Sequence, residues 1–398
     1  MSSKALQAFN VDDFRVLARK RLPKGLFEFV DRGTEDEVAL VANRSAFARY
    51  KFIPRTLVDV SVRSSEITLF GRRMAMPLAI APTGVAGLMW HDGEVALAKA
   101  AASRGVPFTV ATGSLTSMER VADESGGSCW FQLYMWPQKA LSMELVQRAQ
   151  KAGFEALLVT VDTAVGSNRE YNLRNGFSIP FKFSRRNIAD VLMHPRWLFN
   201  VLARYMVSTG MPKYENYPEQ LRSTVTAKPI GKAMAKADNM TWDDFRAIRK
   251  MWSGPLMAKG ILHPLDARQA INCGADAIVV SNHGGRMLDH SIPPLLALPA
   301  IVQEVNGRCP VLLDSGITRG SDVVKALALG ASAVLAGRAT LYGVATCGQP
   351  GAQRVLGLLE EEILRTLGLI GCPDIGEVSS RCLYDMHQQG PLVDSAFQ

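Results

Sequence analysis

The stretch PVLLDSGITRGSDVVKALALGASAVLAGR (310–338) decides how the chain is read. It opens on an apolar run ending in Asp314-Ser315-Gly316, enters the helical pattern SDVVKALALG (321–330), and closes on a second apolar run, AVLAGR (333–338). Unbroken Val/Ile/Leu/Ala runs, without polar alternation, mark strands buried on both faces, as in a parallel sheet. The same grammar recurs upstream in MPLAIAPTG (76–84), VPFTVATGS (106–114), CWFQLY (129–134), ALLVTVD (156–162), PLMAKG (255–260) and AIVVSN (277–282). Helical patterns alternate with them, including GEVALAKAAASRG (93–105), KALSMELVQRAQKAG (139–153) and TWDDFRAIRKMW (241–252). The last opens on a Thr241-x-x-Asp244 capping pattern. Eight strand–helix alternations are the count of a (β/α)8 TIM barrel. The competing doubly wound sheet is disfavoured because no G-x-G-x-x-G opens the first unit.

Two parts fall outside this alternation within a chain read as one domain, 1–398. Residues 1–55 read as a helical lead-in, with Pro23 placed to start a helix and Gly33 to end one. The region 163–254, after strand four, is far too long for an ordinary connection. Its centre, FKFSRRNIADVLMHPRWLFNVLARYMVSTGMPKYENY (181–217), mixes cations with Trp, Phe, Leu and Met.

Composition narrows the class. The chain is 47% hydrophobic and 21% charged, which supplies a large core, and its net charge of +8 favours anionic partners. Nucleic acid is disfavoured, since the cations sit in site motifs and one insert rather than in a stripe. The six cysteines form no C-x-x-C pair, so they read as reduced in a cytoplasmic protein, and no metal site is expected. No signal-peptide core opens the chain, and no apolar run reaches the roughly 18 residues of a spanning helix.

Barrel enzymes work at the C-terminal ends of their strands, so the residues closing each run carry the chemistry. These are Pro82-Thr83-Gly84, Thr112-Gly113-Ser114, Gln132 and Tyr134, Thr160 and Asp162, Lys259, Ser281 to Arg286, Asp314-Ser315-Gly316 with Arg319, and Gly337-Arg338. The last two groups form a phosphate signature: glycine turns beside a helix N-terminus, with arginine alongside. SNHGGR (281–286) is the sharpest signal. His283 can take a proton near neutral pH, and Arg286 can clamp a carboxylate through two parallel hydrogen bonds. Asp162 can orient His283 and favour its protonated form. A different phosphate-ligand barrel or a non-catalytic binding protein remains open on these residues alone.

SNHGGR-x-LD (281–289), KALALGA (325–331) and WFQLY (130–134) carry a resemblance to the FMN-dependent 2-hydroxy-acid oxidase and dehydrogenase family. It runs from RLPKGLFEF (21–29) to LIGCPDI (369–375), and within 163–254 only the ends are similar. The resemblance implies FMN and oxidation of a lactate- or mandelate-type 2-hydroxy acid to the 2-oxo acid. His283 would be the base, paired with Asp162. Arg286 and Arg169 would bind the substrate carboxylate, and Tyr134 would bond near the reacting carbon. Lys259 would lie at the flavin N1–C2=O edge. Pro82, Thr83, Gly84, Gln132, Thr160 and Ser281 would line the ring and ribityl chain; Asp314, Ser315, Gly316, Gly337 and Arg338 would hold ribityl and phosphate. A homo-oligomer, expected as a tetramer, is also implied.

Three positions depart from the family pattern. Phe29 replaces a substrate-binding tyrosine, Thr318 stands where an arginine is usual, shifting phosphate binding toward Arg319 and Arg338, and Ala111 replaces a serine beside the flavin. Gly84 matches the dehydrogenase choice, where oxidases carry alanine. With the insert, it implies a quinone-like acceptor at a membrane surface, reached peripherally from the inner face of the plasma membrane. There Lys182, Arg185, Arg186, Arg196 and Arg204 would meet anionic lipid while Trp197, Leu198 and Phe199 bury at the interface. The alternatives are a soluble oxidase forming hydrogen peroxide, and an insert that serves as a lid.

Overall fold

A computed structural model describes residues 7–177, 184–228, 230, 237–388 and 390–391. Eight parallel strands close a barrel: β1 (Leu78–Ile80), β2 (Phe108–Ala111), β3 (Cys129–Leu133), β4 (Ala156–Thr160), β5 (Leu256–Ile261), β6 (Ala277–Val280), β7 (Val311–Asp314) and β8 (Ala333–Ala336). Closure is made where Val334 of β8 pairs with Leu78 of β1. The intervening helices are α1 (Gly93–Ser103), α2 (Met118–Ser125), α3 (Lys139–Lys151), α4 (Trp242–Met251), α5 (Pro264–Asn272), α6 (Pro294–Val305) and α7 (Gly320–Ala328), followed by α8 (Arg338–Cys347) and α9 (Gln349–Ile370). Thr241 and Asp244 form the expected capping box at the start of α4.

The apolar runs have no polar alternation because both strand faces are buried, by two different cores. Ala79, Trp130, Leu158, Met257, Val279, Leu312 and Leu335 fill the barrel interior. Their sequence neighbours, among them Leu78, Phe131, Leu157, Ile278, Leu313 and Val334, pack outward against the helices. The hairpin formed by Ile67–Leu69 and Arg72–Met74, which the sequence reading left unassigned, adds Leu69 and Met74 to the interior cluster. One irregularity matters for the site: the β5–β6 register shifts between Lys259 and Ile261. Gly260 there has φ +107°, and a Cβ on it would lie 2.6 Å from the Asp162 side chain, so only glycine lets β5 pass Asp162 at this point.

The lead-in is helical as expected over Val11–Arg21, Lys24–Asp31 and Val38–Arg49, but it ends in a strand, Tyr50–Phe52, paired antiparallel with Leu383–Asp385. Asp31 ties it to the barrel. Its carboxylate accepts from Arg15 Nε at 2.6 Å, Arg15 Nη2 at 2.8 Å and the Tyr342 hydroxyl of α8 at 2.7 Å.

The insert is rooted in the shell rather than free. Trp197, expected at a membrane interface, is buried and donates its indole N–H to Leu88 O at 2.6 Å; that expectation is corrected. The apolar side chains the insert exposes are Ile188, Leu192, Met193, Phe199, Met206 and Val207, while Leu198 is half-buried. Lys182 lies outside the described residues.

Asp31→Ala should destabilise the protein by about 2–3 kcal/mol, since it removes three hydrogen bonds and leaves a buried phenol unpaired. Tyr342→Phe, which removes one donor, should cost about 1 kcal/mol. Chemical denaturation of the two variants checks the ranking, and equal midpoints would refute it.

Candidate active site

Every strand-end group named from the sequence, Arg319 excepted, lies around the C-terminal mouth of the barrel. At its centre is His283, in the left-handed region with φ 58°. That conformation is uncommon for a residue with a side chain and is tolerated where surrounding bonds enforce it. Here they do. The His283 N–H donates to Ser281 Oγ at 3.0 Å, and Gly284 N–H to Ser315 Oγ at 2.9 Å. Asn282 exchanges two 2.8 Å hydrogen bonds with Asn43, and Thr34 N–H donates to Gly285 O at 3.2 Å. Asp289 accepts the Ala39 N–H at 2.8 Å, capping the third lead-in helix. A Cβ on Gly285 would fall 2.6 Å from Leu40 N, so glycine alone lets the loop lie this close to the lead-in.

The imidazole sits between two groups. Nδ1 faces both Asp162 oxygens at 3.1 and 3.2 Å, and Nε2 is 3.2 Å from the Tyr134 hydroxyl. Burial pushes His283 below the ordinary histidine range, and the Asp162 charge offsets this only in part. Burial would raise Asp162, but His283 and then Lys259 outweigh it and hold the carboxylate below its usual range. The Tyr134 phenol is pushed up by burial and then by Asp162, so it stays protonated. The lowered proton affinity favours a neutral imidazole, and a ring that keeps its proton on Nδ1, toward the carboxylate, would use Nε2 to receive another.

A second cluster runs along β5 to β7. The Lys259 ammonium, almost fully buried, lies 2.9 Å from Asp314 and 3.1 Å from Ser281 Oγ, which itself donates to Asp314 at 2.6 Å. Burial works against the ammonium, but Asp314 and then Asp162 outweigh it, and its proton affinity is raised. Beside it, Gln132 Nε2 donates to Thr160 Oγ at 2.9 Å. Thr112 ties β2 to β3 by donating to Gln132 O and accepting from Tyr134 N, at 2.6 and 3.1 Å.

The third feature is cationic. Arg286 donates to Val30 O and Arg32 O at 3.3 and 2.9 Å. Arg338 donates to Val30 O at 3.0 Å and Gly284 O at 2.8 Å, and Arg169 Nε to Arg286 O at 3.4 Å. Among the described residues, none of the three has a carboxylate partner within salt-bridge distance. Burial, then Arg169 and Arg338, push Arg286 well below the ordinary arginine range. Phe29 lies against it, ring centroid 5.4 Å from the guanidinium carbon, and packs on Phe177 at 5.3 Å.

Arg319 is the sequence-named residue that the structure turns elsewhere. Its guanidinium pairs with Glu362 of α9 at 2.7 Å, and at the start of α7 its N–H and that of Thr318 donate to Asp322. The groups whose role sequence reasoning missed are Asn43 and Asp289; they position the loops together with Thr112 and Asn282, which were named among the strand ends.

The arrangement fits FMN. The Thr83 hydroxyl, in the half-buried turn after β1, has no hydrogen-bond partner, an orphan that a polar ring would satisfy. A cation at Lys259 suits a flavin's pyrimidine edge. The Gly284 turn, at positive φ, brings backbone beside Arg338, as a phosphate requires.

The comparisons agree. The family model for FMN-dependent dehydrogenase matches residues 18–385. The chain is 42% identical to (S)-mandelate dehydrogenase of Pseudomonas putida over 93% of this chain and 92% of that protein. It is 40% identical to an L-lactate dehydrogenase of Alcaligenes faecalis over 93% and 97%. A crystal structure described as the monotopic membrane protein (S)-mandelate dehydrogenase superposes with a TM-score of 0.89 at 42% identity, covering 95% of this chain and 99% of that one. The chain belongs to the FMN-dependent dehydrogenase family, and FMN is its cofactor.

Proposed function

We propose that the enzyme oxidises a 2-hydroxy acid of the lactate or mandelate type to the 2-oxo acid and passes the electrons to a quinone-like acceptor at a membrane surface. The observation that carries the chemistry is His283 held between Asp162 and Tyr134 beside arginines that have no carboxylate of their own. Bound FMN supplies the two-electron oxidation. The protein's side chains do the rest. Arg286 and Arg169 bind the substrate carboxylate, which relieves their mutual repulsion. His283 Nε2 takes a proton from the alcohol as it is oxidised, and Asp162 stabilises the imidazolium that results. Tyr134 donates a hydrogen bond beside His283 and fixes the substrate oxygen. Lys259 holds a positive charge at the flavin edge, Pro82, Thr83, Gly84, Ala111, Gln132 and Thr160 line the ring, and Arg338 faces the phosphate.

Three features support the membrane and acceptor reading: Gly84, the exposed Ile188, Leu192, Met193, Phe199, Met206 and Val207, and a relative described as monotopic. No helix among the described residues is long and apolar enough to cross a membrane, so attachment would be interfacial. The oxidase reading is tested by reoxidising the reduced flavin in air against an artificial quinone; fast peroxide formation in step with substrate would favour it. Removing the exposed apolar side chains by Leu192→Ser, Met193→Ser and Phe199→Ser together should release the protein from membranes while turnover with a soluble dye persists. Loss of dye-linked turnover would make the segment a lid.

His283→Ala should lower flavin bleaching by 2-hydroxy acids at least about 100-fold while FMN stays bound. In the wild type, activity needs neutral His283, so kcat/KM should hold on a plateau and fall on acidification only below the ordinary histidine range. Asp162 raises the His283 proton affinity; Asp162→Asn should therefore move this acid limb to still lower pH and depress the plateau. A limb that moves upward would refute the pairing. Arg286→Lys should raise KM for the acid by at least about tenfold, because an ammonium cannot form two parallel bonds to a carboxylate. Unchanged KM would remove Arg286 from carboxylate binding.

A further inference from the structure

Outside the barrel mouth, a further arginine with buried donors has no salt bridge among the described residues. Arg21, the last residue of the first lead-in helix, lies with its guanidinium carbon 4.4 Å from the Trp90 ring centroid. Its Nε and Nη2 are buried and have no hydrogen-bond partner. Arg15, in the same helix, is by contrast fully engaged with Asp31. Burying unsatisfied guanidinium donors is costly, and such a site is stabilised by an oxyanion that accepts from them. Among the described residues no acidic side chain pairs with Arg21, and burial and then a second cation, Arg196 of the insert, lower its proton affinity. Arg196 is exposed and makes no salt bridge among the described residues. Arg21 thus lies over the Trp90 indole, and Arg196 adjoins Trp197, whose indole N–H is tied to Leu88 O two residues before Trp90.

The element that brings Arg196 here also indicates the ligand. Arg196 follows the exposed Leu192 and Met193 and precedes the exposed Phe199, so an oxyanion at this point would have an apolar surface beside it. A free inorganic anion has no use for that surface; a phosphodiester carrying acyl chains does. We propose that Arg21, held over Trp90, and Arg196 of the neighbouring insert form a headgroup site for the phosphate of an anionic phospholipid. The site rests on the interfacial attachment proposed above and adds to it a lipid preference seated on the barrel's lead-in helix. Trp90 holds the Arg21 guanidinium plane by cation–π contact, leaving its edge donors for the phosphate.

The test is co-sedimentation of the full-length holoenzyme with neutral phosphatidylcholine vesicles and with the same vesicles doped with phosphatidylglycerol, at fixed salt. The wild type should bind the doped vesicles more tightly. Arg196→Gln, on an exposed side chain, and Arg21→Gln should each cut that preference about fivefold, the worth of one cation near a charged surface. Binding to neutral vesicles should stay unchanged, which also certifies that the variants are folded. Arg21→Lys should recover only part of the preference, since lysine keeps the charge but lacks the planar fork. A preference that survives both glutamine substitutions overturns the site. Saturable binding of inorganic phosphate that both substitutions abolish, with no change in vesicle preference, would assign the arginines to a free anion and overturn the lipid. Equal wild-type binding to both vesicles sinks this proposal while leaving membrane attachment intact, whereas binding to neither sinks the attachment itself.

Discussion

The mouth of this barrel holds three arginines that, among the described residues, have no carboxylate within salt-bridge distance. Arg169, Arg286 and Arg338 converge there, and burial and mutual repulsion together depress the proton affinity of Arg286. What holds them is backbone. Arg286 and Arg338 both donate to carbonyls at the end of the Lys24–Asp31 helix, Val30 O and Arg32 O. A helix C-terminus carries unsatisfied carbonyls and partial negative charge, enough to steady a cation without neutralising it. The lead-in helix is therefore part of the site. Neutralising these arginines with Asp or Glu would stabilise the empty protein and leave less to gain from binding a carboxylate and a phosphate. The site instead keeps its positive potential for ligands that bring the charge.

The same logic sets the histidine. Burial alone would leave a neutral imidazole that takes a proton poorly, and a free carboxylate pair alone would leave it already protonated. His283 has burial dominant and Asp162 opposing, so it rests neutral and becomes charged against a partner already in place. Its left-handed backbone aims the ring at Asp162 and Tyr134, and the strain is met by Ser281, Asn282 and the lead-in helices. Ser281 also takes part in the Lys259–Asp314 cluster, so one hydroxyl ties the His283 loop to the buried Lys259 cation.

The barrel was legible because burial on both strand faces leaves an unmistakable apolar run, and the strand-end residues could be read because a barrel exposes one end of every strand. Arg319 misled for a local reason. Sequence adjacency placed it by the phosphate turn, but α7 begins one residue later and α9 supplies Glu362, so the side chain turns outward to an ion pair. Asn43 and Asp289 were invisible because their partners lie about 250 residues away in the chain, and no local pattern encodes such a contact. Trp197 misled in the opposite sense. A tryptophan among cations in a polar insert suits a membrane interface and also suits an anchor into a protein shell. Only the hydrogen bond to Leu88 separates the two.

That anchor changes what the insert means. Trp197 reaches Leu88, and Tyr205 packs at a tilt on His91, ring centroids 4.4 Å apart, while its hydroxyl accepts the Asp92 N–H at 3.1 Å. Leu88, His91 and Asp92 belong to the segment that leaves β1 directly after Gly84. Phe199 and Met206, the exposed apolar groups nearest these anchors in sequence, are thus carried by a segment whose inner face is packed on the loop beside the proposed flavin edge. A loosely tethered amphipathic helix could hold the protein at a surface while leaving the barrel free to tumble. Under the proposed attachment, a segment rooted at Leu88, His91 and Asp92 would fix the barrel mouth relative to that surface. For an acceptor dissolved in lipid, a fixed distance to the flavin edge is what makes electron transfer reproducible from one turnover to the next. The burial of Trp197 is therefore part of the reading that the insert serves the acceptor.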